Sequence, residues 1–193
     1  MSDQIATSRR NLFGIGGKVL LSAAAVGVLA EPSIAQSKMK GGTASAGDVD
    51  ILNVALALEH EAIEAYQIGA ESGLLQKPVL DVAVLFQGHH KAHRDALVGA
   101  IKTLGGKPVA PETRAHYLAS LEAAKITGQT DILRLAQRLE RGAANAYLGV
   151  IPAFASKDLA QVSAKLASDE TAHWALLSQV LGDKLGAAPF VVS

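Results

Sequence analysis

One short pattern occurs twice in this 193-residue chain, and it limits what the chain can fold into. Leu58-Glu59 is followed by Tyr66, and Leu139-Glu140 by Tyr147, each tyrosine seven residues after its acid. Roughly thirty residues beyond each acid stands a second pattern. In the first half it is His90-Lys91-Ala92-His93, in the second Glu170-Thr171-Ala172-His173. Residues three or four apart share one face of an α-helix. If all four stretches are helical, each half sends one carboxylate and one i, i+3 pair into a common interior. That is the layout of a two-metal site inside a four-helix bundle.

Periodicity supports the helices. The first is predicted from about Asp48 to Ser72, with Gly73 as its stop. Its apolar stripe reads Leu52, Ala55, Leu56, Ala62, Ile63, Tyr66, Ala70, and Glu59 falls in the middle of it. The second begins at Pro78, a residue suited to a first helical turn, and ends before Gly105-Gly106. Phe86, His90, His93, Leu97, Ala100 and Ile101 lie along one side, while His89 sits about 100° round from His90. A long connection follows, with a short helix over about Pro111 to Lys125 whose apolar side is Tyr117, Leu118 and Leu121. The third long helix takes Thr130 or Asp131 as its N-cap and repeats the first stripe as Leu133, Ala136, Glu140, Ala143, Ala144, Tyr147, Ile151, before Pro152. The fourth starts after Ser156 and runs to Leu181, with Leu166, Glu170, His173, Leu177 and Val180 on one face. The fold class expected is all-α: an antiparallel four-helix bundle with a long crossover between the second and third helices.

A carboxylate centred in an apolar stripe is costly unless it is paired, protonated or bound to metal. Glu59 and Glu140 are both in that position. The chain has no cysteine, so a metal here must use histidine and carboxylate. Net charge is zero, which argues against a phosphate-binding surface. No glycine-rich phosphate loop, Gly-x-Ser-x-Gly elbow or His-Glu-x-x-His helix is present.

Taken together, the stretches resemble the ferritin-like superfamily, in particular its exported bacterial members. The resemblance rests on Leu52-Asn53-x-Ala55-Leu56-x-x-Glu59 with Tyr66, His90-x-x-His93, Leu139-Glu140 with Tyr147, and Glu170-x-x-His173. It implies a buried site for two metal ions, iron first and manganese or zinc as alternatives. The ligands it implies are Glu59, His90, His93, Glu140, Glu170 and His173, with the Tyr66 and Tyr147 hydroxyls hydrogen-bonded close by. The chemistry implied is that of a di-metal oxidoreductase, peroxidase-, catalase- or ferroxidase-like, acting on peroxide, dioxygen or ferrous iron. A non-catalytic envelope or stress protein with a structural or lost metal is the other expectation. His90 departs from the family pattern, which has Glu there. Two divalent ions facing three acids would carry a bare charge of about +1 instead of zero, and an imidazole does not bridge two metals as a carboxylate does. Gln87 with His90 is an alternative pair on the same helix.

The N-terminal region reads as an address. Ser8-Arg9-Arg10-Asn11-Leu12-Phe13, a Gly- and Ala-rich run from Gly14 to Ala30, and Ser33-Ile34-Ala35 resemble a twin-arginine export signal over residues 1–35. Residues 36–47 read as a flexible linker, 48–182 as the bundle and 183–193 as a tail. The expected location is the periplasm or beyond, with the twin-arginine translocase as a partner during export and no nucleic-acid partner. A homodimer is left open.

Overall fold

A computed structural model describes residues 46–184 of the chain. The export signal, nearly all of the linker, and the tail beyond Lys184 lie outside the described residues.

Among the described residues five α-helices follow one another: α1 (Ala46–Glu71), α2 (Lys77–Thr103), α3 (Arg114–Ser120), α4 (Gln129–Val150) and α5 (Lys157–Val180). The long four are the predicted four. Glycines in left-handed conformation end three of them, with φ of 72° at Gly73, 76° at Gly105 and 72° at Gly182. Pro78 sits in the first turn of α2. Ser156 caps α5, its hydroxyl accepting from the Leu159 amide. A 3-10 turn, Ile151–Ala153, carries Pro152 and ends α4. The start of α4 differs from expectation. Gly128, not Thr130 or Asp131, is the N-cap, and Asp131 instead accepts the Thr127 and Gly128 amides from inside the first turn. The crossover helix is shorter than predicted, with a 3-10 turn at Ala123–Lys125 after it.

Short turns make α1–α2 and α4–α5 hairpins. The pairing of the two hairpins is legible from their cross-links. Tyr66 reaches Glu140 while Tyr147 reaches Glu59, so α1 and α4 run antiparallel. His93 faces Asp169 while His89 faces His173, so α2 and α5 do too.

Burial is layered along the bundle. One apolar cluster holds Leu52, Leu56, Leu97, Ile101, Leu159 and Leu166. Another holds Phe86, Ala83, Leu133, Ala136 and Leu177. On every long helix the acid or histidine of the repeat lies between its contributions to these two clusters. The polar groups therefore form a single layer between two apolar plugs. Leu118 and Val180 depart from their predicted stripes and are exposed, because α3 turns only Tyr117 and Leu121 inward and α5 ends at Val180. Asp48 is buried at the start of α1, where its carboxylate accepts the Ala155 amide of the α4–α5 connection.

Two glycines test the packing. A Cβ on Gly106 would meet Val49 at 2.5 Å and the Ile101 carbonyl oxygen at 3.2 Å, whereas one on Gly142 would meet nothing within 4 Å. Gly106→Ala is expected to destabilise by about 1–3 kcal/mol, read as a lower denaturant midpoint. Gly142→Ala, inside α4, is expected to be neutral or to stabilise by up to about 1 kcal/mol.

Candidate metal centre

Six groups meet in the polar layer, each at most 3% exposed: Glu59 from α1, His90 and His93 from α2, Glu140 from α4, Glu170 and His173 from α5. All are residues singled out in the sequence. They fall into two overlapping sets, Glu59–His90–His93–Glu170 and His90–Glu140–Glu170–His173. Within each set the donor atoms lie within 4.8 Å of one another. His90 and Glu170 are common to both, the equivalent positions of the two halves.

His90 is placed between the sets. Its Nδ1 lies 2.8 Å from Glu59, and its Nε2 lies 3.2 Å from Glu140. One nitrogen thus faces each set. A neutral imidazole has a single free lone pair, so serving both sets would require loss of its second proton. His93 and His173 turn Nδ1 inward, 3.1 Å and 3.0 Å from Glu170, and His173 also stands 3.3 Å from Glu140. Two of the three acids also accept a tyrosine hydroxyl: Tyr147 donates to Glu59, and Tyr66 to Glu140. The tyrosine of each half thus serves the acid of the other.

Two residues outside the expected set complete the layer. His89 Nδ1 lies 2.9 Å from His173 Nε2, and Asp169 lies 3.2 Å from His93 Nε2. Each stands one position before the motif of its half. The signal was available in the repeat, His89-His90-x-x-His93 against Asp169-Glu170-x-x-His173, but a helical wheel places both residues to the side. Gln87, the alternative to His90, points elsewhere: its side chain donates to the Ile63 carbonyl and to Gln67. Phe86 stacks on His173 with ring centres 4.0 Å apart. His60 bonds to the crossover at Val109, and His116 is exposed.

The sequence pattern of the ferritin-like domain family matches residues 47–183.

The chain belongs to the ferritin-like domain family.

Its fold is similar to that of a conserved hypothetical protein from Mycobacterium tuberculosis, known from a crystal structure. The two are 21% identical, with a TM-score of 0.60 over 75% of this chain and 96% of that one. No curated protein matches the chain.

Does the ferritin-like layer suit metal? Two donors at right angles on one ion, with bonds of about 2.1 Å, stand about 3.0 Å apart, and at tetrahedral angles about 3.4 Å. The nitrogen–oxygen separations within the two sets run from 2.8 to 3.8 Å. Hard carboxylate and borderline imidazole donors suit iron, manganese and zinc. The residues fit.

The same groups also satisfy one another as acids and imidazolium ions. Burial pushes Glu59 up, but hydrogen bonds to His90 and His93 outweigh it and hold the carboxyl at about 2. Glu140 is lowered in the same way by His173 and His90. Burial wins only at Glu170, whose carboxyl is raised. Burial lowers the imidazoles, yet their bonds to acids reverse the sign. His90 and His173 are raised, and His93 reaches about 12 through Asp169, Glu170 and Glu59. Both tyrosines are pushed up by burial and by the acid they serve, so they remain donors. His89 is lowered by burial and by the charge on His173.

A pH dependence with definite sign follows for metal-free protein. Glu59, depressed from 4.5 to about 2, contributes stability above pH 4.5 that is lost as pH falls toward 2. His93, raised from 6.5 to about 12, contributes fully below pH 6.5 and is lost as pH rises toward 12. Metal-free stability is therefore expected to peak between about pH 4.5 and 6.5. Bound metal should restore progressively more stability above pH 6.5, where displacing imidazole protons becomes easier. Paired urea melts across pH, with and without metal, check this, and parallel curves would contradict it.

Proposed function

We propose that this chain is an exported redox protein whose polar layer holds two metal ions, iron foremost. Its substrates in this reading are peroxide, dioxygen or ferrous iron. The observation that carries it is the pair of overlapping four-residue sets sharing His90 and Glu170. Glu59 and His93 from one set and Glu140 and His173 from the other would hold the ions, together with the shared His90 and Glu170. Two such ions, when bound, supply electrons and Lewis acidity. The chain supplies the rest. Glu59, Glu140 and Glu170 balance the positive charge. The Tyr66 and Tyr147 hydroxyls fix the orientation of the two acids across the layer. Asp169 holds the outer nitrogen of His93, and His89 that of His173, which aims both inner nitrogens at Glu170. The two apolar plugs keep bulk water from either end of the layer.

A second reading keeps the bundle and drops the chemistry, leaving a structural or lost metal. One observation favours it. Among the described residues no buried side-chain nitrogen or oxygen lacks a hydrogen-bond partner, so the layer is self-sufficient when its histidines are protonated. Metal analysis of protein purified without an affinity tag separates the two. The redox reading expects two ions per chain, and loss of both in Glu59→Ala combined with Glu140→Ala. Protein that stays metal-free and gains no thermal stability from added iron, manganese or zinc overturns it. Metal without ferrous-oxidation or peroxide-consuming activity supports the structural reading.

The sequence Ser8-Arg9-Arg10-Asn11-Leu12-Phe13 supports the twin-arginine route, which suits a cargo folded around its metal before export. Arg9→Lys with Arg10→Lys is expected to leave the full-length precursor inside the cell. Unchanged export, scored by fractionation, would exclude that route.

A further inference from the structure

The four long helices do not close equally around the layer. The seams within the two hairpins pack extensively, α1 meets α4 far less, and the α2 and α5 backbones meet less still. At one end of the α1–α4 seam α3 acts as a cover: Tyr117 and Leu121 pack on Ala65 of α1 and Leu135 of α4. Further along nothing comparable fills the space. Ala62 on α1 and Gly142, Ala143 and Ala146 on α4 are too small to meet across it. A cleft of about 220 Å³ results, open to solvent where Arg138 and Gly142 are exposed, with Leu58 and Leu139 in its walls and His90 and Glu140 at its inner end. Those two residues are the edge where His90 Nε2 and Glu140 Oε1 stand 3.2 Å apart. The opposite side of the layer, between α2 and α5, is occupied by the Phe86–His173 stack, His89 and Asp169.

The size and chemistry of this space restrict what fits. An enclosed apolar cavity of about 150 Å³ is enough for benzene, so the cleft has room for a molecule larger than dioxygen or peroxide. The walls are aliphatic. The cavity lining carries one acid and one base besides the inner pair, Glu61 on α1 and Arg138 on α4, so it shows no net charge to an approaching molecule. Besides Glu61 and Arg138, the hydrogen-bonding groups of the lining are the imidazole and the carboxylate at its inner end.

We propose that the α1–α4 seam is a binding site for a small, neutral, largely apolar organic molecule of about benzene to substituted-benzene size. Its polar end, if it has one, lies against His90 and Glu140. As the organic substrate of the metal layer it rests on the reading above, but its binding does not, because the cavity is formed by helix packing alone.

The test uses metal-free protein, with benzene and phenol as probes and amide NMR as the readout. The expected result is a saturable shift confined to the seam, at Ala62, Gly142, Ala143 and Ala146, with phenol also moving residues around His90. Ala146→Leu should weaken both probes by tenfold or more. Gly142→Leu should do the same, and its added carbon enters space where nothing lies within 4 Å, so at least one variant keeps its fold. Leu148→Ala, on the exposed side of α4, should leave binding unchanged. Linear, unsaturable shifts, or equal affinity in the filled variants, would overturn the proposal. Metal content is measured separately: binding without metal leaves the seam and removes the redox reading, and metal without binding does the reverse.

Discussion

The structure depends on a buried layer of acids and imidazoles in which every charge has a counterpart. Three carboxylates at most 1% exposed would each cost on the order of several kcal/mol if left alone. Three imidazoles and two tyrosine hydroxyls surround them instead. The contacts span all four long helices, so the layer fixes how far each helix may slide. Displacing α4 by one turn along α1 would part Tyr66 from Glu140 and Tyr147 from Glu59 together, leaving both buried tyrosine hydroxyls unpaired. The leucines of the two plugs would accept many such offsets, because dispersion contacts are tolerant of register. The polar layer is what singles out one packing.

The internal repeat explains why so few motifs are sufficient. Each half supplies an acid and a tyrosine on one helix and a paired motif on the next. Every link that joins the halves is made crosswise. Tyr66 serves Glu140 and Tyr147 serves Glu59; Asp169 holds His93 and His89 holds His173. Neither half can complete its own polar pairing, so the two hairpins are forced together. The halves differ where two consecutive acids of the second, Asp169 and Glu170, face two histidines of the first, His89 and His90. The last histidine of each motif, His93 or His173, plays the same part in both halves, with Nδ1 toward Glu170 and Nε2 on a partner from the facing helix.

Much of this was legible in the sequence because its signals are local. Glu59 and Glu140 stand out as acids inside apolar stripes, and Glu170 and His173 as a pair at i, i+3. Both kinds of signal depend only on helix geometry. His89 and Asp169 were not legible in the same way. Each lies off its own helix's inward face and becomes part of the layer only because α2 and α5 approach one another there, which no single-helix pattern encodes. The burial of Asp48 is of the same kind, since its acceptor role depends on the α4–α5 connection arriving beside the start of α1. Leu118 and Val180 erred in the opposite direction. A periodic stripe does not say where the neighbouring helix ends, and both residues lie beyond the surface that would have covered them.

The histidine at position 90 and the open seam belong to one arrangement. With an acid at position 90, the inner end of the cavity would present two carboxylates to aliphatic walls. Such a space would favour water or cations over a neutral organic molecule. An imidazole beside Glu140 changes that balance. The pair can share a proton between them, so the inner end carries a hydrogen-bond donor and an acceptor without an unpaired charge. Small residues at Ala62, Gly142, Ala143 and Ala146 would be a packing defect in a bundle whose interior had only to be filled, since each missing methyl group forfeits stabilisation. Set against an inner end that tolerates an apolar neighbour, they read instead as room kept open beside the polar layer. The histidine at position 90 thus bears on what can approach the polar layer as well as on what the layer can hold.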